Sequence, residues 1–286
     1  MSATAPRLEV ENLRVRFATQ TGVVEAVRGV SFTVAGEKIG IVGESGSGKS
    51  TVGRALLKLV PRPGVVTADR LSFGDTDLLA ASERAMRRVR GARIAMILQD
   101  PRHALNPVMR VGAQIEEAVR VHERVGRVAA RRRALEMLGQ VRIRDPERVH
   151  AAFPHELSGG MGQRAMIAIM LAAGPELLIA DEPTSALDVT VQAQVLAILD
   201  DLVSGRGMGL IFVSHDLELV ASFCDRVLVM YAGRIVESLP ARDLHEAARH
   251  PYTRGLLACL PRLERRGGPL PTLTRDPAWL GEAIPP

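Results

Sequence analysis

Aromatic side chains are scarce in this chain: one tryptophan, two tyrosines and six phenylalanines, 3% of 286 residues. So thin a supply leaves little for the stacking platforms on which single-stranded nucleic acid is bound. Cysteine is scarcer still, and Cys224 and Cys259 lie far apart in apolar or amphipathic stretches. Two such residues build neither a disulfide framework nor a metal knuckle, and they read as buried free thiols. No apolar run approaches the ~20 residues needed to cross a bilayer. Met1 to Arg7 has no apolar signal-peptide core. The expectation is a soluble, cytoplasmic chain, with any membrane role arising through a partner.

What is present is ordinary globular composition, 47% apolar and 24% charged. The length suits one large α/β domain with a smaller inserted or appended piece. A formal charge of +5 raises the question of nucleic acid. However, Arg87-Arg88-Arg90 and Arg131-Arg132-Arg133 alternate with apolar residues as solvated helix faces do, so no nucleic-acid partner is expected.

The most informative stretch runs from Ile39 to Thr51. An apolar strand breaks into Gly43, Glu44, Ser45, Gly46, Ser47 and Gly48, and Lys49, Ser50 and Thr51 open a helical run over Val52 to Leu59. The glycines leave room for an anion. The unpaired N–H groups and dipole of the helix start attract it. Lys49 can reach the β- and γ-phosphates of a nucleotide, and the Ser50 hydroxyl can ligate Mg²⁺, the known mechanics of the G-x-x-x-x-G-K-[ST] phosphate loop. A nucleoside triphosphate site follows.

Around it, Leu8 to Phe17 reads as a strand and Thr21-Gly22 as a turn. Val23 to Val34 forms one or two further strands, together a small antiparallel sheet. Phe17 either stacks on an adenine or fills the core. Arg70 to Phe73 is strand-like and Ser82 to Val89 helical. Ile94 to Leu98 is a buried strand with Gln99 at its end, either at a ligand edge or bonding a loop. Val111 to about Val149 is helical, with Ile115, Val119, Val128, Ala134, Leu135, Leu138 and Val141 as its apolar stripe.

Leu157 to Arg164 (LSGGMGQR) opens another helix, with Ser158 as its cap and Gly159-Gly160 admitting a backbone or an anion. A plain capping turn is the alternative. The apolar strand Leu177 to Ala180 delivers Asp181, suited to hold Mg²⁺, and Glu182, suited to act as general base. Asp188 precedes a helix over Val189 to Leu202. The strand Leu210 to Val213 ends at His215, which can bond a γ-phosphate or merely cap a helix. Arg226–Tyr231 and Arg234–Glu237 form a hairpin, Ala241 to Leu260 is helical, and the 262–286 tail is loosely packed or extended.

In this order the motifs resemble the nucleotide-binding subunit of an ABC transporter over residues 8 to about 260. The LSGGMGQR run between the phosphate loop and the Asp-Glu strand carries that resemblance. It implies an α/β fold: a P-loop NTPase (RecA-like) core, an antiparallel β subdomain over 8–36, and a helical subdomain inserted near 100–160. Gly43 to Ser50 are then the Walker A loop, with Thr51 beside it, and Gln99 is the Q-loop glutamine that also reaches Mg²⁺. Ser158, Gly159, Gly160, Met161 and Gln163 are the signature, Asp181 the Walker B aspartate and Glu182 the catalytic glutamate. Asp188 falls in the D-loop, His215 is the switch histidine, and Phe17 sits at the adenine-stacking position. Gly162 departs from the charged or longer polar residue common there.

Within that family GESGSGKS, ILQDPRHALNP, HELSGGM, DEPTSALDVTVQAQ and the terminal HPYTRGLLACLPRL look like ATPases of peptide and nickel importers. The implied cofactors are ATP and Mg²⁺. The implied partners are a second ATPase subunit, like or unlike, docked head to tail, two transmembrane permease subunits and, indirectly, an extracytoplasmic solute-binding protein. The implied place is the cytoplasmic face of the membrane. A C-terminal extension over 236–286 is expected without the cysteine-rich cluster segment of some relatives. Peptide uptake leads; nickel or metal-chelate uptake, and a non-transport ABC ATPase, are the alternatives.

Overall fold

The computed structural model describes residues 7–185 and 187–260, together with Leu273, Asp276 and Trp279. The rest of the tail expected to be loosely packed lies outside the described residues. The chain divides into two compact units, one of Ala80–Ile211 and one that joins Arg7–Leu79 to the residues from Phe212 onward.

The second of these begins with strands β1 (Leu8–Thr19) and β2 (Gly22–Val34), antiparallel about a turn at Gln20 and Thr21. Buried positions on β1 fall at Leu8 and Val10, then Leu13 and Val15. The three-residue step is a bulge: the register shifts between Val10 and Leu13, and Asn12 takes φ +52, which its short polar side chain tolerates. β3 (Lys38–Val42) leads into helix α1 (Lys49–Leu56). The helix starts three residues before the expected Val52 and stops short of Leu59, because Lys58 turns to φ +51. β4 (Gly64–Thr67) and β5 (Arg70–Phe73) both pair with β1, and β6 (Thr76–Asp77) pairs with β5. β1 is thus the centre of a five-stranded sheet. β4 and β6 lacked a sequence signal: they are too short to show alternation, and Val65 is exposed.

The unit Ala80–Ile211 contains α2 (Glu83–Val89), capped by Ser82, then β7 (Ile94–Ile97) and α3 (Pro101–Ala104). The helical stretch expected from 111 to 149 is three helices, α4 (Val111–His122), α5 (Arg127–Gln140) and α6 (Pro146–Ala151). α5 buries Ala130, Ala134 and Leu138, spaced by four; Val128, two residues and some 200° around the helix from Ala130, is 87% exposed. The expected apolar stripe therefore loses that residue. α7 (Gly159–Leu171), β8 (Leu177–Asp181) and α8 (Val189–Gly205) follow. β7 and β8 run parallel, from Ile94 opposite Leu177 to Ile97 opposite Ala180, all buried. Continuous apolar runs are what a parallel pair covered on both faces requires.

β9 (Gly209–Ser214) returns the chain to the other unit, which is completed by α9 (Leu217–Phe223), β10 (Arg226–Tyr231), β11 (Arg234–Pro240), α10 (Leu244–Ala247) and α11 (Pro251–Ala258). β10 lies parallel to β3 and antiparallel to β11, and the hairpin turns through positive φ at Ala232 and Gly233. The single helix expected over Ala241 to Leu260 is broken: Pro251 has no N–H to continue it and holds His250 extended.

Candidate functional site

In the unit holding β3 and α1, the loop Gly43–Gly48 folds around its own lysine. Lys49 is 5% exposed, and its Nζ donates to the carbonyls of Gly43 at 2.8 Å and Glu44 at 2.9 Å. The Ser47 amide donates to the Glu44 carbonyl at 3.2 Å, and α1 begins at Gly48 with φ +102. A Cβ on Gly48 would stand 2.4 Å from the Ala26 carbonyl oxygen; on Gly43, 2.1 Å from that of Met230. Neither position admits a side chain, as the sequence required. Two further bonds brace the loop: the Gly233 amide donates to Ser47 O at 2.9 Å, and the Glu44 amide to the Tyr252 hydroxyl at 3.0 Å. Ser50 and Thr51 lie in the first turn of α1, while Ser45 and Gly46 form the exposed rim.

The same unit carries Phe17 and His215. Phe17 is half-buried on β1 opposite Gly64, where a Cβ would come within 2.7 Å of its ring. His215 is exposed just past β9; the cap of α9 is Asp216, whose carboxylate accepts the Leu219 amide at 3.0 Å.

In the unit Ala80–Ile211, three of the residues expected to do chemistry, Gln99, Asp181 and Glu182, come together at the end of β8. Asp181 is its last residue, 3% exposed. Glu182 follows at φ +46, outside the comfortable region for a side chain with a Cβ. Its carbonyl accepts the Ser185 amide at 3.3 Å and hydroxyl at 3.2 Å, and this small turn holds the strained residue. The Gln99 side-chain amide donates to the Glu182 carboxylate at 3.0 Å. Two residues 83 apart in sequence are thus joined.

The signature turn lies in that unit too. Ser158 caps α7 by accepting the Met161 amide, and Asp188 caps α8 by accepting the Val191 amide at 3.0 Å. Both helix starts open on one recess of about 300 Å³, lined by Gly159, Gly160, Met161, Asp188 and Val191 among others. Gly160 presses on Val191: a Cβ there would stand 2.7 Å from Val191 Cγ1. Gln163, expected among the nucleotide-binding residues, is 1% exposed and donates its side-chain amide to the Pro183 carbonyl, so it ties α7 to the segment after β8. Gly162 lines a larger groove of about 460 Å³ with Pro101, Leu105, Pro107, Leu157 and Ser158.

Sequence reasoning missed the residues that brace the phosphate loop, Ala26, Met230, Gly233 and Tyr252. Ala26 and Met230 fall in strands and Gly233 in a hairpin turn that the sequence shows, and Tyr252 in the terminal run already singled out, but no local pattern says that they meet the phosphate loop. Cys224 is buried, and burial pushes its thiol up to about 12. Among the described residues there is no helix long and apolar enough to cross a membrane and no cluster of three or more His, Cys, Asp or Glu able to hold a metal ion.

Comparison with known proteins adds three findings. The profile of the ABC transporter family matches residues 27–185, and that of the oligopeptide/dipeptide transporter C-terminal region matches residues 236–283. The chain is 53% identical over 263 residues to a probable peptide ABC transporter ATP-binding protein of Sinorhizobium fredii, covering 91% of this chain and 78% of that one. It is 49% identical over 280 residues to the oligopeptide transport ATP-binding protein OppD of Bacillus subtilis, covering 94% and 78%. Among solved structures it is similar to an ATP-binding cassette captured as a dimer after hydrolysis, bound to ADP and Pi. The TM-score is 0.71 at 26% identity, over 82% of this chain and 99% of that one.

Proposed function

Since the chain belongs to the ABC transporter family, we propose that it is the ATP-hydrolysing subunit of an importer whose cargo is peptides. The observation that carries the cargo class is the match of residues 236–283 to the oligopeptide/dipeptide transporter C-terminal region, beside relatives at about half identity that are named for peptide transport. The alternatives of nickel or chelate uptake, and of a non-transport ATPase, have no comparable support.

The phosphate loop binds the triphosphate through its amides and Lys49, whose ammonium lies against the loop carbonyls, ready to turn to phosphate oxygens. The Ser50 hydroxyl on its unit, and the Asp181 carboxylate and Gln99 side-chain oxygen on theirs, are the hard oxygens that would hold Mg²⁺, which would supply neutralisation of phosphate charge. Glu182 accepts a proton from the attacking water, and the Gln99 amide orients its carboxylate. His215 steadies that water and Phe17 covers the adenine.

The recess between the starts of α7 and α8 is a second anion-attracting end without a phosphate loop of its own unit. We read it as the cap for a γ-phosphate held by a partner ATPase subunit, like or unlike this one, docked head to tail; the dimeric cassette neighbour supports this. The relatives' role in oligopeptide transport supports a pair of transmembrane permease subunits as the further partners. The membrane's cytoplasmic face is the place these partners imply.

Reconstitution with the cognate permeases and binding protein in vesicles tests the reading. Labelled peptide should accumulate only with ATP, and peptide should stimulate phosphate release. Uptake of nickel but not peptide would overturn the cargo; nucleic-acid stimulation in place of permease stimulation would overturn transport.

A further inference from the structure

We propose that Tyr252 is a positioning residue for the phosphate loop, so that the C-terminal aromatic cluster sets how tightly ATP is held. The proposal rests on the chain being an ATPase and is independent of what it transports.

The peptide group that joins Gly43 to Glu44 is gripped on both sides. Its N–H, on Glu44, donates to the Tyr252 hydroxyl at 3.0 Å, and its carbonyl, on Gly43, accepts Lys49 Nζ at 2.8 Å. The next carbonyl, that of Glu44, accepts Lys49 Nζ at 2.9 Å and the Ser47 amide at 3.2 Å. Whatever fixes the tilt of this peptide therefore fixes where the lysine head rests and which way the neighbouring loop amides point. Tyr252 lies 208 residues further along the chain and is fully buried.

A lattice of buried groups holds Tyr252 in turn. The carboxylate of Glu237 on β11, 3% exposed, accepts the amides of Arg249 at 2.6 Å and His250 at 3.2 Å. His250, itself fully buried, caps α11 by accepting the Tyr252 amide on Nδ1 at 3.1 Å. The ring of Tyr252 lies 4.5 Å from that of Tyr231 and 5.7 Å from that of Trp279, while Tyr231 and Trp279 meet edge to face at 5.6 Å. Tyr231 directly follows Met230, whose carbonyl abuts Gly43. The two ends of the Gly43-Glu44 segment thus rest on one aromatic cluster, a third of whose rings comes from the tail at Trp279. In a chain with nine aromatic residues, three gathered behind the phosphate loop is a concentrated use of them. Tyrosine suits the place because its ring packs while its hydroxyl serves a polar partner.

The test is Tyr252→Phe in the full chain, which keeps the ring and removes the acceptor. The probes are a fluorescent ATP analogue for affinity, steady-state hydrolysis in the assembled transporter, and hydrogen exchange at the Glu44 amide. Loss of one buried neutral hydrogen bond should weaken nucleotide affinity, and raise KM, about three- to tenfold. The turnover number should stay within about twofold and the melting temperature within roughly 3 °C. Glu44 exchange should quicken by about tenfold. Nucleotide affinity and Glu44 exchange both equal to wild type would overturn the proposal, as would a fall in turnover with KM unchanged. Should the variant lose stability, the exchange measurement on its folded fraction still decides. Lys49→Ala is the control: if wild-type chain bound the analogue no better than this variant, the ATP site itself would be wrong; with that difference intact, failure belongs to Tyr252 alone.

Discussion

Cys224 illustrates what burial does to a single group. Its thiol is pressed between β3 and α9, with Sγ 3.3 Å from the position a Cβ would take on Gly40. Desolvation drives its pKa up to about 12, with Asp225 adding to the rise and Lys38 opposing it. The folded chain therefore keeps a proton that the unfolded chain gives up near 9. Stability held below that pH is lost as pH climbs toward 12. Urea titrations at pH 8 and about pH 10.5 should show a larger drop in midpoint for wild type than for Cys224→Ala. Equal drops would mean that Cys224 is not the group responsible. Glu182 shows a different cost at the same scale. Its left-handed backbone stores about 1–3 kcal/mol, held by the turn to Ser185 and aimed by Gln99. Strain kept at a carboxylate and shared with a polar clamp is what a positioned base needs.

Among the elements, α9 and β3 come close at Val220 and Gly40. A Cβ on Gly40 would lie 2.0 Å from Val220 Cγ1, a distance that no rotamer of a β-branched helical residue relieves cheaply. Gly40→Ala should therefore destabilise by about 1–3 kcal/mol as overpacking does. Val220→Ala in the same chain should recover a good part of it, because the two sites are coupled. Urea denaturation of the two single variants and the double variant provides the cycle, and strict additivity would mean that the contact is not what separates helix from strand. The elements themselves were largely legible. The β1 pattern of Leu8, Val10, Leu13 and Val15 even carried the bulge as a skipped step. Val128 was misread because one apolar residue at the start of α5 cannot reveal the face that Ala130, Ala134 and Leu138 choose.

For the whole molecule, the proposed clasp makes assembly depend on an intact nucleotide. Glu182→Gln should bind ATP with unchanged affinity but hydrolyse it about 10²–10⁴-fold more slowly. Light scattering of that variant, with its partner ATPase if the pair is unlike, should show the mass of two cassettes in ATP and of one without it. A permanent monomer under both conditions would sink the head-to-tail reading. Sequence alone determined the phosphate loop, the capped helix start at Ser158, the helix that follows Asp188, the acidic pair at the end of β8 and the family they identify. Each of these is written in a dozen contiguous residues, where turn chemistry, capping and periodicity act locally. The tertiary structure alone decided that Gln99 clamps Glu182, that Gln163 turns inward to Pro183, and that Tyr252 grips Glu44. A buried polar atom must find a partner, and which one it finds depends on what packing brings within 3 Å, a choice that no local pattern encodes.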